Sequence, residues 1–269
     1  MNVLHLSHAL DITSVAGHTL SAEEAYVVKN ALLVLQGENH FKDIYFFGKI
    51  FGLEKDYYVS FGYRSDAIGG RSFFYSTNQC DWFVLSEPSP CALKLTPRVS
   101  QRFTGDPSHV VDWRDAGDTF GVPGRECLLK EEDRLAAVVY SLHDDCAIAP
   151  KGAFFLNIEG LIEINPTFQG LSLQQGSDGT WWRHTRRKGQ SATRSSGDFL
   201  DSSTSELNDK WSFRVRSQGS VCIVLNLEWL GFTVYHRLRT PEHGFVYFGD
   251  GVKFNKSVTS ELPPSELQK

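Results

Sequence analysis

Residues 211–249 hold four short runs, WSFRVR, SVCIVLNLEW, FTVYHR and GFVYFG, separated by Gly, Ser, Thr and Pro. Each alternates along its length, as in Trp211, Phe213, Val215 and Val221, Ile223, Leu225, Leu227, Trp229. That period of two, broken by turn residues, predicts an antiparallel meander. FTVYHR and GFVYFG read as a hairpin around Thr240-Pro241, with Gly249 and Gly251 in the turn that leaves it. The constraint lies in the residues between the alternating ones. Phe232, Val234 and His236 oppose Thr233 and Tyr235, while Phe245 and Tyr247 oppose Val246 and Phe248. A sheet with large apolar groups on both faces needs cover on both. It is either sandwiched or a protein–protein interface. On the second reading Trp229, Tyr235, His236, His243, Phe245 and Tyr247 are the candidate partner contacts.

The same grammar starts after Asn39, in IYFFGKIFGL, DYYVSFGY, RSFFYS and DWFVLS. With 19 Phe, 9 Tyr, 6 Trp and 23 Gly against one Met, the chain favours strands and tight turns over helices. Helices are expected only at the start. Val3, Leu6 and Leu10 recur at helical spacing before Gly17. Ser21 and Glu24 then form a capping box ahead of Ala25, Val28, Leu32 and Leu35, and Gly37 suits the stop. Residues 86–127, rich in Pro and Gly-Asp, read as a long ordered excursion. The run EEDRLAAVVYSLHDDC fits a helix through Leu135, Val138, Val139 and Leu142, or a strand through Ala136, Val138, Tyr140 and Leu142. The strand-like CAIAPKGAFFL that follows favours the strand. Residues 174–210 lack apolar periodicity and read as a mobile insertion. The expected architecture is α+β: a helical segment at 1–37, then one mainly antiparallel domain with long loops at 38–256, then a tail at 257–269. No repeat of fixed period is present.

Chemistry finds little support. His236 and His243 are the natural pair for a metal, with Glu242, Asp250 or Cys222 nearby, but no template spacing joins them. A structural hairpin explains them better. The chain has no G-x-S-x-G elbow, no P-loop and no G-x-G-x-x-G after a strand. His143-Asp144-Asp145 reads as a polar turn rather than an acid–base cluster. No catalytic, metal or cofactor residue is assigned. The one basic cluster, Arg183, Arg186, Arg187 and Lys188 beside Trp181 and Trp182, lies in a chain of net charge −5. An acidic protein surface is a better partner for it than nucleic acid. Five cysteines without C-x-x-C spacing are expected to be reduced thiols. The N-terminus lacks a signal-peptide pattern and no run nears a membrane span, so an intracellular, soluble protein is expected.

FFGKIFGLEKDYYVSFGY, FTGDPSH, AIAPKGAFF, INPTFQGLSL and LEWLGFTVYH…GFVYFGDGVKFN, in that order from Ile44 to Asn255, resemble the radial spoke head protein 9 family. AIAPKGA and the W-x-G…Y-x-G-x-G pieces are also similar to spoke head proteins 4 and 6. The resemblance implies a non-enzymatic subunit of the radial spoke head in the axoneme of motile cilia and flagella. It would work without cofactors, in a multi-subunit complex with the 4 and 6 type subunits and two copies per head. Central pair projections would be met indirectly, and no membrane or nucleic acid directly. Spokes of this kind pass signals from the central pair to the dynein arms. Where the family has proline between Trp and Gly, this chain has Leu230. The alternative is a stand-alone β module binding carbohydrate or peptide, which a concave pocket lined by Trp181, Trp182 or Trp229 would favour.

Overall fold

Ser21 and Glu24 start the longest helix as the capping box predicts. The Glu24 N–H donates to Ser21 Oγ at 3.1 Å, and the Ser21 N–H to the Glu24 carboxylate at 2.8 Å. The computed structural model describes residues 1–112, 128–187, 199–201, 209–216 and 219–254. Helix α1 (Leu6–Thr13) and helix α2 (Ala22–Asn39) form the expected pair. Gly17, at φ 105°, ends the short 3-10 turn after α1. Helix α2 runs past Gly37, because His40 takes the left-handed cap and donates to the Gln36 and Gly37 carbonyls.

Strands β1 (Asp43–Ile50), β2 (Tyr57–Tyr63), β3 (Ser72–Ser76) and β4 (Phe83–Leu85) make the first meander. Helix α3 (Pro90–Leu95) and the short pair β5 (Val110–Val111) and β6 (Leu129–Lys130) follow. Next come α4 (Glu131–Cys146), β7 (Ile148–Pro150), and the two-stranded hairpin β8 (Phe154–Leu156) and β9 (Ile162–Ile164). One turn of helix, α5 (Leu173–Gly176), precedes β10 (Trp182–Arg187) and β11 (Leu200–Asp201). The second meander is β12 (Trp211–Arg216), β13 (Val221–Asn226), β14 (Phe232–Arg237) and β15 (His243–Gly249). The two meanders merge into one eight-stranded sheet, ordered β12-β13-β14-β15-β1-β2-β3-β4. Every pairing in it is antiparallel except the central one, β1 with β15. Strands β11, β10 and β7 form a smaller sheet.

Both faces of the large sheet are covered from within the chain. On one face Leu6, Leu10, Val28 and Leu32 of α1 and α2 pack on Phe46, Tyr58, Tyr235, Val246 and Phe248. On the other, Leu135, Val138, Val139 and Leu142 of α4 pack with Phe47, Phe61, Phe232, Phe245 and Tyr247. The strand expected over 131–149 is therefore corrected to a helix up to Cys146. Glu131, Glu132 and Asp133 fill its first turn, where acidic groups suit the helix dipole. The second apolar face of the sheet also needs a wide cover, which a narrow strand cannot supply. Glu131 anchors the helix start: its buried carboxylate accepts from the Thr104 and Gly105 N–H groups and from Tyr57 Oη at 2.8 Å.

Residues 173–187 correct the expectation of a mobile loop over that part of 174–210. They form α5, a 3-10 turn and β10, which pairs with β7. Trp182 is the reason, since its fully buried indole donates to the Gly176 carbonyl at 3.2 Å. Residues 188–198 and 202–208, and the tail expected at 257–269, lie outside the described residues. One thiol departs from the expected reduced state. Cys91 is disulfide-bonded, whereas Cys80, Cys146 and Cys222 are free.

Candidate functional site

The hairpin of β14 and β15 forms as its sequence predicts, and brings His236 opposite His243 in the ladder. The rings lie 6.3 Å apart, centroid to centroid. They do not make a metal centre. His236 is completely buried, and both its nitrogens are engaged. Nε2 accepts the Leu171 N–H at 2.9 Å, so Nδ1 carries the proton and donates to the Glu242 carbonyl at 2.9 Å. Burial holds this neutral ring at a pKa of about 4. His243 donates from Nδ1 to the Pro241 carbonyl at 2.8 Å. Among the described residues no group of three His, Cys, Asp or Glu side chains is placed to hold a metal. His236 instead ties the hairpin to the Gly170–Leu171 segment. That segment closes the contact from its side, because the Arg239 N–H donates to the Leu171 carbonyl at 2.9 Å. Gly170, at φ 88°, lets the two backbones meet: a Cβ there would stand 2.3 Å from the Thr240 oxygen.

The aromatic residues named as partner contacts are core residues, which corrects their assignment to an exposed face. Trp229 is 5% exposed, Tyr235 2%, Phe245 7% and Tyr247 1%. Their polar atoms are used internally. Trp229 Nε1 donates to Asp145 at 3.0 Å, and Tyr247 Oη accepts from the Gly251 N–H at 2.9 Å. The physical reason is the helical cover on both faces, part of which was read as strand. Trp182 is likewise interior, and Trp181, half-buried, lies under Lys151 at 5.6 Å. Arg186 pairs with Asp201 at 3.2 Å and with Asp144 at 3.6 Å. Its acidic partners are therefore in its own chain. The Arg187 side chain and Lys188 lie outside the described residues.

Leu230 stands in a tight turn whose Phe232 N–H donates to the Trp229 carbonyl at 3.0 Å. Gly231 follows at φ 96°, and a Cβ on it would meet the Phe248 oxygen at 1.9 Å. The glycine is thus obligatory, while the position before it is one where proline is favoured. Leu230 itself is exposed.

Exposed apolar surface is found elsewhere, and one cluster of it lies on the β8–β9 hairpin. Phe155, Leu156 and Ile164 are each more than a third exposed, and Ile158 at the tip is wholly so. The tip is well built. Asn157 Oδ1 accepts the N–H groups of Glu159 and Leu161, and Asn157 Nδ2 donates to Glu163 at 2.8 Å. A second exposed apolar pair, Phe83 and Val84, lies on the edge strand β4. No alternation signals either patch, because both runs are short and apolar at successive positions.

Two cavities adjoin the sheet. One, of about 280 Å³, is lined by Trp229, Arg134, Thr96, Asp145 and Lys253 among others. Its tryptophan is spent on Asp145 and buried, so it presents no ring face for a sugar. The other, of about 300 Å³, lies beside the opening hairpin and is lined mainly by aromatic and aliphatic groups, with Arg71 among them.

Known proteins resemble this chain along its length. Residues 1–66 match the family model described as radial spokehead-like protein. The chain is 32% identical over 263 residues to a radial spoke head protein 9 homolog of Danio rerio, covering 92% of this chain and 95% of the relative. Homologs of the same name from Xenopus tropicalis and Homo sapiens are 30% and 28% identical, over 93% and 91% of the chain.

Proposed function

The chain belongs to the radial spoke head protein 9 family, and from that premise we propose that it builds the spoke head by presenting the rim of its sheet to neighbouring subunits. As a family member it is a structural subunit of the radial spoke head, a ciliary and flagellar component that associates with other spoke components. The observation that supports the rim is the closure of both sheet faces by α1, α2 and α4. It leaves the β8–β9 hairpin, with Ile158 at its tip, as a large exposed apolar feature on a rigid support. Exposed apolar groups on a pinned turn are suited to anchoring in a neighbour's pocket.

The neighbours in this reading are the 4 and 6 type spoke head proteins, whose likeness to the AIAPKGA segment lies just before that hairpin. Two copies of the chain per head, and passage of signals from the central pair to the dynein arms, belong to the same proposal. The chain acts without catalysis of its own. Crosslinking of isolated axonemes tests the partners: crosslinks from residues 154–164 to a 4 or 6 type subunit are expected. Crosslinks that reach only other proteins would overturn the assignment.

A further inference from the structure

The aromatic cavity contains a cation, Arg71, that makes no ion pair among the described residues. Arg71 precedes β3 and reaches under Phe61, its guanidinium carbon 4.8 Å from the ring centroid. Nε donates to the Ala67 carbonyl at 2.8 Å. Nη1 meets His143 Nε2 in a short contact and Thr185 Oγ1 at 3.5 Å. Burial and the Arg71 charge keep His143 neutral, so it is an acceptor and not a counter-ion. Nη2 has no hydrogen-bond partner, and no carboxylate makes an ion pair with Arg71, among the described residues. Burial lowers the Arg71 pKa to about 10, with Tyr45, Tyr63 and Asp66 acting against it. Those groups are occupied elsewhere: Asp66 Oδ1 accepts from the Ile68 and Gly69 N–H groups, and Tyr63 donates to Asp43 at 2.6 Å.

One carboxylate does line the cavity, but at its far side. Glu242 precedes β15 as Arg71 precedes β3, and β1 and β2 stand between them. Three strand spacings separate the two by roughly 14 Å along the same end of the sheet. Glu242 also has a cation of its own, Arg237 at 3.6 Å. Between the two ends the walls are Tyr45, Phe61, Phe154, Ile164 and Phe245. The Met1 amine also lines the slot, but burial and the Arg71 charge lower its pKa to about 4 and it donates to the Phe46 and Phe245 carbonyls. The Arg71 charge therefore balances one negative charge, and a dianion would leave net charge in the slot.

We propose that this slot binds a monocarboxylate carried on an apolar body, with the carboxylate on Arg71 and the body along Phe61 and Phe245. The site goes beyond the spoke-head role and does not depend on it. The test is calorimetric titration of the purified full chain with 4-phenylbutyrate and with 4-phenylbutanol, together with NMR mapping of the contact. The acid is expected to bind at least about tenfold tighter than the alcohol, with perturbations at Thr185, Tyr63 and Phe245. Arg71→Met should abolish that preference but retain weak binding of both. Should Arg71→Met fail to fold, the acid-to-alcohol ratio of the native chain and of Arg71→Lys decides. A capped peptide with one Glu between apolar residues separates the sources. Tighter binding of the peptide assigns the carboxylate to a neighbouring chain, and tighter binding of phenylbutyrate assigns it to a free acid. Equal affinity for acid and alcohol, perturbations elsewhere, or no binding of any probe at millimolar concentration would overturn the proposal.

Discussion

Protonating His236 breaks a hydrogen bond that closes the core. The ring accepts the Leu171 N–H only while neutral, and burial lowers its pKa from the ordinary 6.5 to about 4. The folded pKa lies below the unfolded one, so this contribution is complete above about pH 6.5 and is lost as the pH falls towards 4. The gap corresponds to about 3 kcal/mol. Urea unfolding at pH 7 and pH 4 should therefore show a loss about 3 kcal/mol smaller for His236→Gln than for the native chain; equal losses would remove His236 from the account. Leu230 makes a second residue-scale prediction. It precedes Gly231 in a turn where proline is favoured, and its N–H makes no hydrogen bond among the described residues. Leu230→Pro should raise stability by about 0.4–1 kcal/mol in the same assay. The hairpin that carries His236 was legible from its alternating runs. The engagement of His236 was not, because its partner Leu171 is 65 residues away.

Elements were legible where local rules and tertiary demand agree. The capping box of α2 is one such place, and Ser21→Ala should cost about 1 kcal/mol by thermal or urea unfolding. The strands are another, since an alternating or doubly apolar run bounded by Gly and Asp has few other solutions. Helix α4 was not legible from its own residues. Ala136, Val138, Tyr140 and Leu142 satisfy a period of two as well as Leu135, Val138, Val139 and Leu142 satisfy helical spacing. The choice is made by the sheet, whose second face requires a broad apolar cover. Leu142, fully buried in that contact, should cost about 2–5 kcal/mol when replaced by Ala. β10 escaped notice for a related reason: its Arg, His and Thr side chains look solvated, yet Arg183, His184 and Thr185 are buried in the small sheet.

The whole molecule is held together by the parallel joint of β1 with β15, which brings the first strand beside the last. No local signal encodes that joint, because its register depends on residues about 200 positions apart. The need to cover two apolar faces was readable; that the chain covers both itself was not. This shifts the interaction surface from the buried aromatic ribbon to the rim. Ile158→Glu, at a wholly exposed position, should leave the stability of the isolated chain within about 0.5 kcal/mol yet lower its incorporation into spoke heads. Quantifying the chain in axonemes from cells expressing that variant checks it. The central claim, that this is a structural subunit of the head, is tested most directly by electron cryotomography of axonemes from cells lacking the gene. Spokes without complete heads, in stiff or paralysed flagella, are predicted; intact spoke heads would contradict the account.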